Sequence, residues 1–331
     1  MSSSSLRRLL GLVVLATVTV PAARATAQQQ AQGFALDRFY PSPAGAGWFV
    51  MDDLDMQGGL GGALALTAGY ARNPLLLKDG IQTLAVVSSE ALADFGFAVT
   101  YDRWRVYLDL RMPLAIEGNV TNGTIGGAVY TSPHLTLGSN PDTLSDPRIG
   151  VEGRLYGIPG GPLRFGLSAE LIAPNGEEPV APKRQDYDTD GTFRAIIRAL
   201  VAGDLRQFRY AGQIGVHIRL LDEAAILGSP QGSELLFGVA GGAKLPVGRR
   251  RDWAIVIGPE IFGATVLQSF LGSSATELEG LVACRLEGTG DDKPQVRIKL
   301  GAGAGIYQHF GAPESRLILS IEMFSHNGRR E

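Results

Sequence analysis

Between Arg103 and Met112 the chain alternates without a break. Trp104, Val106, Leu108, Leu110 and Met112 fall on one side, and Arg103, Arg105, Tyr107, Asp109 and Arg111 on the other. A period of two is the repeat of an extended strand, whose successive side chains point to opposite faces. With arginines and an aspartate on one face and only apolar groups on the other, this strand belongs in a sheet that divides apolar from polar surroundings.

The same rule recurs along the chain. Phe95, Phe97, Val99 and Tyr101 oppose Asp94 and Thr100, while Leu163, Phe165, Leu167 and Leu171 oppose Arg164, Ser168 and Glu170. Ile214, Val216 and Ile218 oppose Arg209, Gln213, His217 and Arg219, and Val296, Ile298 and Leu300 oppose Arg297 and Lys299. The pattern predicts strands at 61–70, 83–101, 103–112, 147–156, 163–172, 192–202, 207–219, 234–245, 253–264, 276–287, 295–306 and 315–324. That is an even number near twelve, and most have about the 9–11 residues that cross a bilayer at a tilt. No apolar run beyond the N-terminal one approaches the length of a spanning helix.

The joins alternate in length. Asp102, 157–162, 203–206, 246–252 and 288–294 are short, whereas 113–146, 173–191 and 220–233 are long. Outer-membrane barrels show this asymmetry, with short periplasmic turns and longer outer loops. Aromatics gather where the two interfaces would fall: Tyr101, Trp104, Phe165, Phe208, Tyr210 and Trp253 at the inner ends, and Tyr70, Phe193 and Phe237 at the outer ends. A soluble β-sandwich also alternates, but the Gly- and Ala-rich polar faces and the loop asymmetry favour a closed antiparallel barrel of about twelve strands. Closure follows because an open sheet edge in hydrocarbon leaves backbone groups unpaired.

Arg7 and Arg8 precede an apolar run from Leu9 to Val20, and Ala25-Thr26-Ala27 supplies a small-x-small site. This order predicts a signal peptide over 1–27 and an exported chain. Loss of Arg7, Arg8 and Arg24 leaves 27 basic against 33 acidic residues, a net of −6. Such a balance lacks the basic footprint of nucleic-acid binding. The single cysteine, Cys284, rules out an internal disulfide. The expected domains are the signal at 1–27, a segment at 28–59 that plugs the lumen or lies in the periplasm, a barrel over 60–324 in the cell outer membrane, and a tail at 325–331. Lipid and lipopolysaccharide are the expected surroundings, with small solutes as the candidate cargo; oligomeric state stays open.

Short motifs add a resemblance. Phe39-Tyr40-Pro41-Ser42-Pro43 with Gly45 to Phe49, Gly69-Tyr70-Ala71-Arg72-Asn73-Pro74-Leu75, Ser145-Asp146-Pro147-Arg148-Ile149-Gly150 and Ala173-Pro174-Asn175-Gly176-Glu177 resemble the barrel region of OmpA-family and related outer-membrane proteins. Relatives often carry a peptidoglycan-binding domain after the barrel. The sequence ends at Glu331, which leaves no place for it, so a cell-wall anchoring role is not expected.

The inward face carries the candidate site. Its lumen-lining residues are Arg103, Arg105, Asp109, Arg111, Glu152, Arg154, Arg164, Glu170, Arg194, Arg198, Arg209, His217 and Arg219. With Arg148, Lys244, Arg285, Arg297, Lys299 and Arg316, the arginines among them make fifteen inward cations against nine inward carboxylates, Asp109, Glu152, Glu170, Glu234, Glu260, Glu277, Glu279, Glu287 and Glu322, which predicts a net positive lumen. Two readings stay open: a narrow or gated channel preferring anions, and a structural, loop-presenting barrel filled by its own salt bridges. In the loop, Asp186, Asp188 and Asp190 followed by Gly191 resemble the start of a calcium-binding loop, although Ile197 stands where a bidentate Glu is needed. A solvated acidic loop is the competing reading, and no other cofactor is expected. A lipid-acting enzyme is the alternative of a different class. It needs a nucleophile beside a histidine, yet His134, His309 and His326 fall outside the predicted strands and His217 points into the lumen, so no catalytic residue is assigned.

Overall fold

The computed structural model describes residues 34–119, 123–125, 128–130, 132–136, 145–174, 187, 189–220, 231–248, 253–288, 295–308 and 311–326. The expected signal peptide and the residues from 327 onward lie outside these. The barrel strands are β1 (Leu60–Asp79), β2 (Gln82–Tyr101), β3 (Trp104–Glu117), β7 (Arg148–Tyr156), β8 (Arg164–Ile172), β9 (Arg194–Leu205), β10 (Phe208–Arg219), β11 (Glu234–Val247), β12 (Trp253–Val266), β13 (Thr276–Gly288), β14 (Gln295–Tyr307) and β15 (Ser315–His326). Each pairs antiparallel with its neighbour, β3 pairs with β7, and β1 pairs with β15 from Gly61–His326 to Arg72–Ser315. The result is a closed barrel of 12 strands, which excludes the sandwich.

Closure satisfies every ladder edge, and the alternation decides which face is which. In β8 the burial pattern is perfectly alternating, with Arg164, Ser168 and Glu170 buried and Phe165, Leu167 and Leu171 exposed. The exposed set over all strands is apolar: Leu64, Phe97, Val106, Leu108, Ile149, Ile214, Val216, Leu300 and Ile321 are among many. A continuous apolar exterior around a charged interior is stable only in hydrocarbon, so the barrel sits in the outer membrane. Tyr101, Trp104, Phe208 and Trp253 stand exposed at the short-turn end, as an interfacial girdle requires.

Two stretches depart from expectation. The first strand is expected over 61–70 only, yet β1 continues through Arg72-Asn73-Pro74 to Asp79. Asn73 takes φ +50° and the register with β2 shifts between Arg72 and Leu75, so Pro74 sits at a bulge where its missing N–H costs no ladder bond. The long outer connection after β3 is not structureless. It holds β4 (Gly123–Ile125) and β5 (Ala128–Tyr130), which pair with each other, and β6 (His134–Thr136), which pairs with the outer end of β3. Ser325 and His326 belong to β15 rather than to a tail.

Candidate functional site

Residues 34–56 occupy the barrel interior. Phe34, Leu36, Phe39, Trp48, Phe49, Met51, Leu54 and Met56 are all buried, as are Asp37, Arg38, Asp52 and Asp53. The described part of the segment begins at the long-loop end, where Phe34 and Leu36 pack with Leu75, Val86, Val87, Ile116 and Tyr130. It descends the lumen and reaches the short-turn end at Asp55, whose Oδ1 accepts a hydrogen bond from Gly160 N at 3.1 Å. Through Gly58 and Gly59 it then enters β1. Of the segment expected at 28–59, residues 28–33 lie outside the described residues.

The segment holds its shape by local bonds. Ser42 N donates to Phe49 O at 2.8 Å, Ala46 N to Pro43 O and Asp53 N to Ala46 O, both at 2.9 Å. Gly47 bridges to Asp52 with φ +114°, and a Cβ there would lie 2.2 Å from the Asp53 carboxylate. Only glycine fits this position. Around this knot the wall is built small. A Cβ on Gly238 would meet the Met51 methyl at 2.3 Å, and one on Gly301 would meet the Phe49 ring at 2.7 Å. Together with Ala202, Ala211, Ala240 and Ala283, these positions make room for the large apolar side chains of the segment.

Polar ties run the length of the lumen. Near the outer end, Arg38 donates to Glu234 at 2.8 Å and Asp37 receives Arg316 at 2.8 Å and Arg111 at 3.0 Å. At mid-depth, the two oxygens of Glu260 accept the main-chain N–H groups of Phe49 at 2.8 Å and Val50 at 3.0 Å. Lys299 donates to Trp48 O at 3.0 Å, and Arg285 lies over the Trp48 ring at 5.0 Å. Near the inner end, Arg105 joins Asp52 at 2.7 Å to Glu152, and Asp53 faces Arg285 at 2.9 Å and Arg209 at 3.8 Å. Arg164 Nε donates to Asp53 O at 2.8 Å and Arg154 to Leu54 O at 3.3 Å. Burial pushes the Asp37 and Asp53 carboxyls up, but the guanidiniums of Arg316 and Arg111 on the first, and of Arg285 and Arg209 on the second, outweigh it and hold both below the ordinary range.

Of the predicted lining residues, Arg105, Asp109, Arg111, Glu152, Arg154, Arg164, Glu170, Arg194, Arg198, Arg209, His217 and Arg219 all face inward. Arg148 reaches Asp109 at 3.4 Å and Glu170 at 3.5 Å, and Arg198 reaches Glu170 at 3.3 Å. His217 Nδ1 lies 3.2 Å from Glu234 and its ring packs edge-on against Tyr40. Arg103 does not join them. It lies in the β2–β3 turn, exposed, beside Asp102 at 3.5 Å, because a two-residue turn carries it past the sheet. The net positive lumen is corrected as well. Glu90 and Asp94 on β2, Asp146 and Asp190 at the outer mouth, and Asp37, Asp52 and Asp53 of the segment are buried among the arginines. Asp37, Asp52 and Asp53 lie in the 28–59 segment outside every predicted strand, so strand alternation does not place them inside.

The calcium expectation rests on residues of which Asp186 and Asp188 lie outside the described set. Asp190 binds Arg219 through both oxygens, at 2.6 and 2.7 Å, and also accepts Ala35 N at 2.7 Å. Its ligand positions are therefore taken by protein donors. Among the described residues no group of three or more His, Cys, Asp or Glu is placed to hold a metal ion. His134 begins β6 and His326 ends β15, in place of the positions outside strands expected for them, and His309 lies outside the described residues.

No family model matches the chain, and no curated protein does. The likeness to the OmpA family therefore stands on its short motifs alone. Among solved structures the chain is similar to an outer membrane channel from Pseudomonas putida F1, with 12% identity, 81% of this chain and 95% of that one covered, and a TM-score of 0.48. It is also similar to the NanC porin, with 8% identity, 80% and 100% covered, and a TM-score of 0.44. A third is the CymD monoaromatic hydrocarbon channel, with 9% identity, 84% and 91% covered, and a TM-score of 0.39. At this distance the likeness carries nothing about function.

Proposed function

We propose that this protein is an outer-membrane channel for small anionic solutes, held closed by its own N-terminal segment. One observation carries the reading: the segment brings Asp37, Asp52 and Asp53 against Arg111, Arg316, Arg105, Arg209 and Arg285 of the wall. With the segment withdrawn, those arginines face an open lumen without these partners, and rings of arginine favour anions. The chemistry of the closed state is thus that of a pore whose counter-charges are supplied by a removable piece of chain.

A permanently filled barrel that presents its outer loops is the second reading. The packing of Trp48, Phe49, Met51 and Leu54 against the wall favours it, since displacing buried apolar surface opposes opening. Planar-bilayer recording separates the two. The intact protein is expected to stay closed or open in brief events, and a variant lacking residues 34–56 to conduct steadily with a reversal potential displaced toward the anion. A deletion variant that folds and stays silent contradicts the channel reading, as does a cation preference.

A further inference from the structure

The segment has two unlike ends. Its inner end runs covalently through Gly58 and Gly59, at φ +80° and +65°, into β1, so it cannot leave the lumen from there without dragging a barrel strand. Among the described residues its outer end, from Phe34, is held by non-covalent contacts, and several come from the outer connection between β8 and β9. Leu36 N donates to Tyr187 O at 2.9 Å, Ala35 N to Asp190 Oδ1 at 2.7 Å, and the Phe34 ring meets the Tyr187 ring edge-on at 5.8 Å. Asp190 also grips Arg219, Arg219 Nη1 reaches Glu234 at 2.8 Å, and Glu234 receives Arg38 at 2.8 Å. The connection is tied to the wall in turn, since Thr189 Oγ1 donates to Asp146 at 2.6 Å and Arg194 to the same carboxylate at 2.7 Å.

We propose that Tyr187, Thr189 and Asp190 form a latch on the outer end of the N-terminal segment, so that opening begins there and is triggered from the outer face. This rests on the reading of the segment as a movable plug. Asp190 is its centre, because one carboxylate holds the segment directly at Ala35 and indirectly through Arg219, Glu234 and Arg38. A solute or surface that draws Asp190 off its seat breaks both ties at once. The segment then swings from the glycine pair at its base, and the lumen clears from the outside inward.

The test uses the full chain in lipid vesicles with Cys284→Ser, which removes the one native thiol, and one reporter thiol at a time. Ser42→Cys reports the outer part of the segment and Met56→Cys its base. In the Asp190→Asn variant, with the barrel still resistant to unfolding on an unheated gel, a small water-soluble thiol reagent is expected to label Ser42→Cys about tenfold faster or more than in the parent, as loss of one charged buried hydrogen-bond partner implies. Labelling at Met56→Cys is expected to be unchanged. Equal rates at Ser42→Cys with and without the substitution overturn the latch. Equal acceleration at both positions overturns it too, because the whole barrel has then loosened. Failure of the plug reading shows separately, as silence of the variant lacking residues 34–56 in planar bilayers.

Discussion

Arg105 offers the sharpest test of how the segment is held. Its guanidinium lies between Asp52 of the segment, at 2.7 Å, and Glu152 of β7, and all three side chains are nearly inaccessible to solvent. Arg105→Met keeps the length and the apolar stem but strands two carboxylates in the same dry space. Removing one partner of a buried pair costs about 3–5 kcal/mol, because the uncompensated charge stays behind. Adding Asp52→Asn and Glu152→Met takes away the stranded charges, and replacing a buried ionic group by neutral residues is often close to neutral. The triple variant is therefore expected to regain at least half of the loss. Urea unfolding in lipid vesicles, followed by tryptophan emission, reads the difference in stability. Acrylamide quenching of Trp48, with Trp104 and Trp253 changed to Phe, reads whether the segment has left its seat. A cost below about 1 kcal/mol for Arg105→Met, or a triple variant no more stable than the single, refutes the claim that Arg105 bonds segment to wall.

Leu108→Arg and Val216→Arg on the lipid face should each destabilise the folded barrel by about 2–4 kcal/mol, whereas Ile81→Arg at the fully exposed β1–β2 tip should have little effect; equal losses in urea titrations would contradict the assigned faces. Burial raises the Asp190 carboxyl, but Arg219 and Arg194 outweigh it and hold it at about 2. A depressed carboxylate stabilises the closed state above its ordinary value near 3.8, and that stabilisation, about 2 kcal/mol, is lost as the pH falls from there through about 2. Quenching of Trp48 should accordingly stay flat from pH 7 to about 5 and rise below about 4, with the Asp190-linked part of that rise absent in Asp190→Asn; an identical rise in both proteins would contradict the assignment. Ile81→Cys should label on intact cells and Gln207→Cys only after permeabilisation, and the reverse would invert the barrel in the membrane.

The wall of this barrel was legible in the sequence because alternation is a local property. The twelve segments chosen by period-two reading all became barrel strands, and Arg164, Ser168 and Glu170 fell inward as their spacing required. Where alternation stops, pairing carries the strand on: the period-two pattern predicts an end at residue 70, but β2 holds β1 in the sheet to Asp79. The filling was not legible in the same way. Residues 34–56 form no regular element, and their bonds join positions far apart in sequence, such as Glu260 to Phe49 and Arg285 to Asp53. One signal was nonetheless present. The inward faces are rich in Gly and Ala, as at Gly238, Ala240 and Gly301, and a wall built that small leaves space that something must occupy. The acidic group Asp52-Asp53, set against an arginine-rich wall, says what carries the complementary charge.

The account stands on residues 34–56 lying inside the closed barrel, and a cysteine pair tests this directly. Ala44 of the segment and Gly96 of β2 face each other, and a Cβ built on Gly96 lies 3.5 Å from the Ala44 Cβ, within the about 3.5–4.5 Å that a disulfide spans. The nearby Asp109 carboxylate, 3.0 Å from the same point, is the flexible end of a side chain and can yield. Ala44→Cys with Gly96→Cys, in a Cys284→Ser background, is expected to form the disulfide in nearly all barrels folded under mild oxidation. It should then stay closed in planar bilayers until a reductant is added. Two free thiols in the folded, oxidised barrel would contradict the account.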